Sequence, residues 1–174
     1  PGVTLVGVEP EHAACLTAAI AAGKPVPVKV LPTLADGLAV AQIGAAPLEV
    51  LRRVVDQVVT VDEASIALSI LRLIELEKSV VEGAGAAPLA AFLAGKLRSL
   101  EGRTVVLTLC GGNIDLTMLD RVIETGLVAD GRLTRFTVSI ADRPGGLARL
   151  AEIIASTGAD RRAVRSSALN ATAA

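Results

Sequence analysis

The stretch VVLTLCGGNIDL, residues 105–116, ends an apolar run in a cysteine, two glycines and an asparagine. Residues 103–109 are short, apolar and rich in β-branched side chains, which predicts a buried strand. Strands and helices alternate along the chain, so we expect this strand to lie in a parallel sheet. Ligands of open α/β sheets bind at the carboxyl ends of the strands. Residues 110–113 are therefore a candidate ligand site.

Two interpretations of this site stay open on the residues alone. Gly111 and Gly112 would let the backbone approach a flat ligand closely. The thiol of Cys110 could hydrogen-bond a ring nitrogen, and Asn113 could brace the loop or cap the next helix. Alternatively, the cysteine is a small buried hydrophobe that is followed by a glycine turn.

The rest of the first 127 residues predicts an α/β fold, with a mostly parallel sheet and flanking helices. Asp62 is the expected N-cap of one helix, and Gly126 is expected to end another. Residues 24–47 should be a loop, in which Asp36-Gly37 is a turn. Further strands are predicted at residues 3–8 and 54–61, and helices at residues 11–22, 48–53, 63–80, 88–96 and 116–125.

Glu82 precedes GAGAA, a turn that requires small residues. Three explanations compete: a phosphate cradle, the wall of a ligand site, or tight packing of a helix. Gly83 and Gly85 do not indicate a dinucleotide site, because the third glycine and the preceding strand are missing.

The character of the chain changes after Gly131, so residues 126–133 are the expected linker. A strand at 134–140, a tight loop at 142–146 and a helix at 147–156 follow. Gly145 and Gly146 would lie at a helix N-terminus, where amides can bind a carboxylate, or in an ordinary turn. Residues 160–174 lack periodicity, which predicts a disordered tail.

Composition excludes several classes of function. The chain has 174 residues with two Phe, no Trp, no Tyr, 17 basic and 18 acidic residues, which argues against nucleic-acid binding. No stretch is long and apolar enough to predict a membrane span. Two cysteines cannot form a disulfide framework, and a cytoplasmic location is expected. His12 and Cys15 share a helix face but are too few for a zinc site, and one histidine does not predict a hydrolase triad.

Four motifs in one order resemble the second half of the catalytic region of the serine/threonine dehydratases: TLVGVEP, LPTLADGLAV, VVEGAGAAPLAA and VVLTLCGGNIDL. These pyridoxal-phosphate enzymes include the threonine ammonia-lyases and, as relatives, the serine racemases. The similarity runs from residue 2 to residue 127. Residues 135–159 are similar to the start of an ACT domain, an amino-acid-sensing module.

The resemblance implies a domain organisation. Residues 1–127 would be the carboxyl-terminal part of a fold-type II pyridoxal-phosphate domain. Residues 134–159 would begin an allosteric ACT-like domain, in which Gly145 and Gly146 bind an effector. Residues 160–174 would be the tail.

The resemblance also implies a cofactor, pyridoxal 5'-phosphate, and a reaction. Cys110 would hydrogen-bond the pyridine nitrogen. A neutral thiol moderates the electron sink, which suits β-elimination. Threonine would give 2-oxobutanoate and serine would give pyruvate, with release of ammonia. Such a reaction would belong to amino-acid metabolism, for example to isoleucine biosynthesis. The residues implied to face the cofactor are Cys110, Gly111, Gly112, Asn113, Glu82 and Gly83.

Two departures from the family pattern bear on function. Some relatives bind a divalent cation near VGVEP; Glu9 and Ala13 match that site, but Cys15 replaces a carboxylate, so no metal is expected. The Schiff-base lysine and the phosphate loop of the family also have no counterpart here. The four lysines Lys24, Lys29, Lys78 and Lys96 stand in other contexts.

This chain alone is therefore expected to be inactive. It starts abruptly with PGVTLVGVEP, so we expect part of a longer protein, as a homo-oligomer or paired with the missing half. Three alternatives stay open: a non-catalytic amino-acid-binding regulatory chain, part of a serine racemase-like enzyme, or a fragment without a function of its own.

Overall fold

Two parallel strands form the sheet. The structure, a computed structural model, describes residues 2–141 and 143–158. Strand β1 (Val6–Pro10) pairs with β2 (Gln57–Val61), in a register that sets Val6 opposite Gln57 and Pro10 opposite Val61. Parallel neighbours need a long crossover connection, which here contains helices. The predicted α/β class and parallel pairing are confirmed for this part of the chain.

Helices make up most of the described structure. Several begin near their predicted starts, and the Asp62 side chain accepts a hydrogen bond from the amide of Ser65 (2.7 Å), so the predicted N-cap is confirmed. Shorter 3-10 segments occur at Glu11–Ala13, Asp36–Leu38 and Arg98–Leu100, and a π-helical segment occurs at Leu73–Glu77. The α-helices are α1 (Cys15–Ala22), α2 (Ala45–Val54), α3 (Glu63–Arg72), α4 (Gly83–Leu93), α5 (Leu116–Ala129) and α6 (Gly146–Ser156).

The core lies around α3. Ile66 and Ile70 are fully buried there, together with Val122 of α5. The buried hydroxyl of Ser69 hydrogen-bonds the carbonyl oxygen of Ala86 (3.1 Å), which joins α3 to α4. Small side chains on α4 let the two helices approach closely; these are Ala86, Ala87, Ala90 and Ala91.

Gly126 does not end α5, as its sequence context predicts, but lies inside that helix. A Cβ at Gly126 would stand 2.9 Å from the carbonyl oxygen of Ala67, so the glycine permits close packing of α5 on α3. The helix continues to Ala129. The first four residues of the linker predicted at 126–133 are therefore helical. Tertiary packing overrides the helix-stop signal here.

An ion-pair network fixes the end of α5. Arg132 pairs with Glu75 (2.6 Å) and with Asp130 (2.8 Å). Arg72 also pairs with Glu75 (3.1 Å) and with Asp130. The pKa of Glu75 is lowered, chiefly by the hydrogen bond from Arg132.

The predicted strands at 103–109 and 134–140 are not observed. In the part of the chain that the structure describes, the sheet comprises β1 and β2, so neither segment has a strand partner. A strand needs a partner for its backbone hydrogen bonds, whatever its side-chain pattern. Val106 is 88% exposed, in contrast to the buried strand expected.

The chain divides into two compact units, Pro1–Arg135 and Phe136–Ala174. In the second unit, α6 begins at Gly146, close to the predicted start. Asp142, at the start of the predicted loop, Ala159, at the end of the ACT-like segment, and the predicted tail at 160–174 lie outside the described residues. The ACT-like assignment stays a prediction.

None of the helices in residues 2–141 and 143–158 combines the length and the apolar character that a membrane crossing requires.

Candidate functional site

Three segments of the first unit meet at the N-terminus of α4. They are the loop at residues 34–37, the turn at 82–85 and the segment at 110–111. At each meeting point a glycine allows a contact that a side chain would prevent. Tight packing is one of the three explanations for the glycines after Glu82, and such packing is observed.

Gly83 and Gly85 are in contact with backbone on either side of the turn. A Cβ at Gly83 would stand 2.0 Å from the carbonyl oxygen of Leu34. A Cβ at Gly85 would stand 1.6 Å from the carbonyl oxygen of Cys110. Both distances are far shorter than any van der Waals contact, so only glycine fits at either position.

Glu82 and Gly111 are joined by two contacts. The amide of Glu82 donates to the carbonyl oxygen of Gly111 (2.7 Å). Gly111 has φ +80°, and a Cβ there would stand 2.2 Å from Oε1 of Glu82. The left-handed backbone favours glycine, and any side chain at this position would displace the carboxylate of Glu82. The structure thus brings together Glu82 and the Cys-Gly-Gly segment, which are far apart in sequence.

The sequence predicts that Cys110 lies at the end of a parallel strand. This prediction is wrong, because residues 103–109 are not a strand. Cys110 is exposed, so it is not the buried small hydrophobe of the alternative interpretation. Asn113 does not cap α5; Asp115 does, since its Oδ1 accepts from the amide of Thr117 (2.8 Å).

Gly37 is a residue of this site that sequence reasoning missed. A Cβ at Gly37 would stand 3.1 Å from the Cβ of Ala84 and 3.8 Å from Oε1 of Glu82. Asp36 precedes it, and its Oδ1 accepts from the amide of Gly37 (2.8 Å). The turn interpretation of Asp36-Gly37 is consistent with this geometry, but the turn packs against the candidate site. The motif LPTLADGLAV was the available signal.

Glu9, the one side chain that matched a possible cation site, binds the start of α1 instead. Its Oε1 accepts from the amide of Leu16 (2.7 Å), and its Oε2 accepts from the amide and the hydroxyl of Thr17 (both 2.8 Å). Within the described residues, no group of three or more His, Cys, Asp and Glu side chains is placed to hold a metal. Burial raises the pKa of the Cys15 thiol, and the charge of Glu9 raises it further.

Gly145, a predicted effector residue, is the N-cap of α6 with φ +85°, and Gly146 is the first residue of that helix. This agrees with the expected position at a helix N-terminus. Effector binding there stays a prediction.

Residues 110–112 combine a polar group with exposed backbone. An exposed thiol, which can donate or accept a hydrogen bond, is followed by two residues without side chains. The carboxylate of Glu82 lies beside the first of these glycines.

Comparisons with known proteins show which family the chain resembles. Residues 1–111 match the family model described as pyridoxal-phosphate dependent enzyme. The chain is 46% identical to the L-threonine ammonia-lyase of Geobacter sulfurreducens over 160 residues, 92% of this chain and 40% of that protein. It is 42% identical to the L-threonine ammonia-lyase of Thermotoga maritima, again over 160 residues, 92% of this chain and 39% of that protein. The chain thus spans about 40% of the length of these curated relatives.

Solved structures show the same relationship. The processed form of threonine deaminase isoform 2 from Solanum lycopersicum is similar with a TM-score of 0.66 and 28% identity, over 72% of this chain and 37% of that one. Maize serine racemase is similar with a TM-score of 0.63 and 32% identity, over 70% of this chain and 39% of that one.

Proposed function

The chain belongs to the family of pyridoxal-phosphate-dependent enzymes, and we propose that it is the part of an L-threonine/L-serine ammonia-lyase that binds the pyridine-nitrogen side of the cofactor. One observation carries the proposal: the exposed thiol of Cys110 precedes two glycines, and Glu82 contacts the first of them. The names of the ammonia-lyase relatives support the substrate class.

Pyridoxal phosphate, when bound, supplies an electron sink for the electrons released at the α-carbon of an amino acid. Cys110 would hydrogen-bond the ring nitrogen through its thiol. A thiol, unlike a carboxylate, brings no negative charge to hold a proton on that nitrogen, so Cys110 would leave the sink moderate. This suits elimination of the β-hydroxyl of threonine or serine, which follows promptly on proton removal.

The other residues of the site would orient and enclose the ring. Gly111 and Gly112 would let backbone lie against it, since neither has a side chain. Gly85 keeps the first turn of α4 close to Cys110, and Gly83 keeps that turn close to Leu34. Glu82 would present its carboxylate at the edge of the same pocket, where it can accept a hydrogen bond from a bound polar group. Asn113 would lie beside the pocket.

The proposal includes a partner. None of the four lysines has the context of the family's Schiff-base lysine, so we propose that this chain becomes active only with polypeptide that carries that lysine and the phosphate loop. The expected assembly is a pair with such a segment, and its substrate is threonine or serine.

Complementation tests the proposal. The 174-residue chain would be co-expressed with the segment of the Geobacter L-threonine ammonia-lyase that the match leaves uncovered, and the complex assayed for a visible cofactor band and for 2-oxobutanoate. We expect both in the complex and neither with the chain alone. Cys110→Ala should lower kcat/KM about fivefold, the effect of one lost hydrogen bond of about 1 kcal/mol.

Two variants serve as controls. Cys110→Ser keeps a donor and acceptor and should retain activity, while Glu49→Gln, on the exposed face of α2, should change nothing. A complex that forms but shows no cofactor band and no oxo acid would contradict the proposal.

Serine racemisation is the second candidate, favoured by the similarity to maize serine racemase. Racemisation returns the proton to the opposite face of the α-carbon instead of expelling the hydroxyl. The same complex, incubated with L-serine and analysed by chiral chromatography, separates the two: D-serine indicates racemisation, and pyruvate indicates elimination.

A further inference from the structure

The loop at residues 31–38, which packs against the candidate site, is held by hydrogen bonds to Glu63, the first residue of α3. Oε1 of Glu63 accepts from the hydroxyl of Thr33 (2.6 Å), and Oε2 accepts from the amide of Leu34 (2.6 Å). Both carboxylate oxygens are therefore engaged by two consecutive loop residues. The Glu63 side chain is only 24% exposed, so these hydrogen bonds are partly shielded from water.

Glu63 is not needed to cap its own helix. Asp62 does that, because its side chain accepts from the amide of Ser65. A carboxylate in the first turn of a helix interacts favourably with the helix dipole, whichever way its side chain points. The side chain of Glu63 instead reaches a loop thirty residues earlier in the chain. Helix formation alone does not explain this arrangement.

His12 also holds this loop. Its Nδ1–H donates to the carbonyl oxygen of Pro32 (2.5 Å), and the amide of Leu31 donates to the carbonyl oxygen of His12 (3.0 Å). Nδ1 also lies 3.6 Å from Oε1 of Glu63. The loop is thus fixed by two elements that each follow a strand of the sheet, the 3-10 segment after β1 and α3 after β2.

The fixed loop contacts the two residues that start α4. The carbonyl oxygen of Leu34 stands where a Cβ of Gly83 would be, and Gly37 lies against Ala84 and near Oε1 of Glu82. A shift of the loop by a few tenths of an ångström would therefore move the turn at 82–85. Residues 82–85 also make the contacts to Cys110 and Gly111.

We propose that Glu63 is a positioning residue for the cofactor pocket: by binding Thr33 and Leu34 it fixes the loop that sets the position of Glu82. This proposal rests on the proposed function for the identity of the pocket. Glu63 would not touch the cofactor or the substrate, and it would act only through the loop and the turn at 82–85.

Hydrogen–deuterium exchange on the 174-residue chain tests the proposal without any cofactor. Glu63→Ala should speed amide exchange about tenfold in residues 33–38 and in the turn at 82–86, because two charge-assisted hydrogen bonds are lost. Exchange in α2 should not change. Glu63→Gln, which keeps an acceptor oxygen, should restore most of the protection at 82–86, and Glu49→Ala should have no effect at either place.

Two results would overturn the proposal: faster exchange confined to residues 33–38, or faster exchange throughout the chain, which would indicate general destabilisation. In the complemented enzyme, Glu63→Ala should weaken pyridoxal-phosphate binding about fivefold, with rescue by Gln. If complementation itself fails, the proposed function fails, but the exchange experiment still decides the role of Glu63.

Discussion

The carbonyl oxygen of Cys110 occupies the position that a side chain on Gly85 would need, only 1.6 Å from the ideal Cβ. The contact joins the first turn of α4 to the segment that carries the candidate ring-binding thiol. Because the contact involves backbone on one side and an absent side chain on the other, it cannot relax by a change of rotamer. The placement of Cys110 therefore depends on the smallest residue at position 85.

We predict that Gly85→Ala displaces the segment at Cys110. The added methyl group must be accommodated by backbone movement, and overpacking of this kind costs about 1–3 kcal/mol. This loss should appear in urea unfolding although alanine has the higher helix propensity. Gly112→Ala is the matched control, because a Cβ there would meet its nearest neighbour, the carbonyl oxygen of Val80, at an ordinary 3.6 Å. Equal stability of the two variants would contradict the prediction.

The two thiols should differ in reactivity. Cys110 is exposed, whereas Cys15 is buried and burial raises the pKa of its thiol. Because the thiolate is the reactive form, we expect one fast and one slow phase with an aromatic disulfide reagent at pH 8. Cys110→Ser should remove the fast phase and Cys15→Ser the slow one. A fast phase that persists in Cys110→Ser would show that Cys15 is accessible.

Ser69→Ala should lower the free energy of unfolding by about 1 kcal/mol, because its buried hydroxyl joins α3 to α4. Ser79→Ala provides the comparison, since Ser79 is exposed and its long hydrogen bond to the Glu77 carbonyl is local (3.3 Å). Chemical denaturation of both variants measures the difference. A loss in Ser69→Ala no larger than in Ser79→Ala would mean that the bond to Ala86 does not stabilise the helix pair.

The ion-pair network at Glu75 predicts a pH dependence on the acid side. Its pKa is lowered in the folded chain from an ordinary value of 4.5, first by the hydrogen bond from Arg132. A lowered carboxyl pKa stabilises the fold above that value, and the stabilisation is lost as pH falls through the folded pKa. Glu75→Gln should thus be less stable than the original chain at pH 6 and equally stable in strong acid. The difference should also shrink in high salt, because the pair is partly exposed; a difference that is independent of pH would refute this explanation.

The helices that depend on local signals could be predicted from the sequence. The Asp62 cap fixes the start of α3 because a side-chain oxygen three residues before an amide is a short-range feature. Gly126 shows the limit, since its role depends on the carbonyl of Ala67, which is distant in sequence. Likewise α4 begins at Gly83, and not at residue 88 as predicted, because the glycines pack against other segments rather than form a free turn.

The candidate site was predictable in part. The order of the motifs indicates Glu82 and Cys110 as site residues. It does not reveal that Gly37 lies beside Glu82, or that Glu63 holds the loop that contains Gly37. Those contacts depend on the folded path of residues 31–38, a segment with little periodicity. The strand predicted at residues 103–109 is wrong because a side-chain pattern does not specify a strand partner.

The carboxylate of Glu9, in β1, accepts hydrogen bonds from two amides in the first turn of α1. An ion bound by both of its oxygens would compete with the amides of Leu16 and Thr17 for the same carboxylate. Ion binding is therefore expected to weaken the first turn of α1. A titration with Mg²⁺ or Ca²⁺ that succeeded at this carboxylate would register as a fall in helicity by circular dichroism.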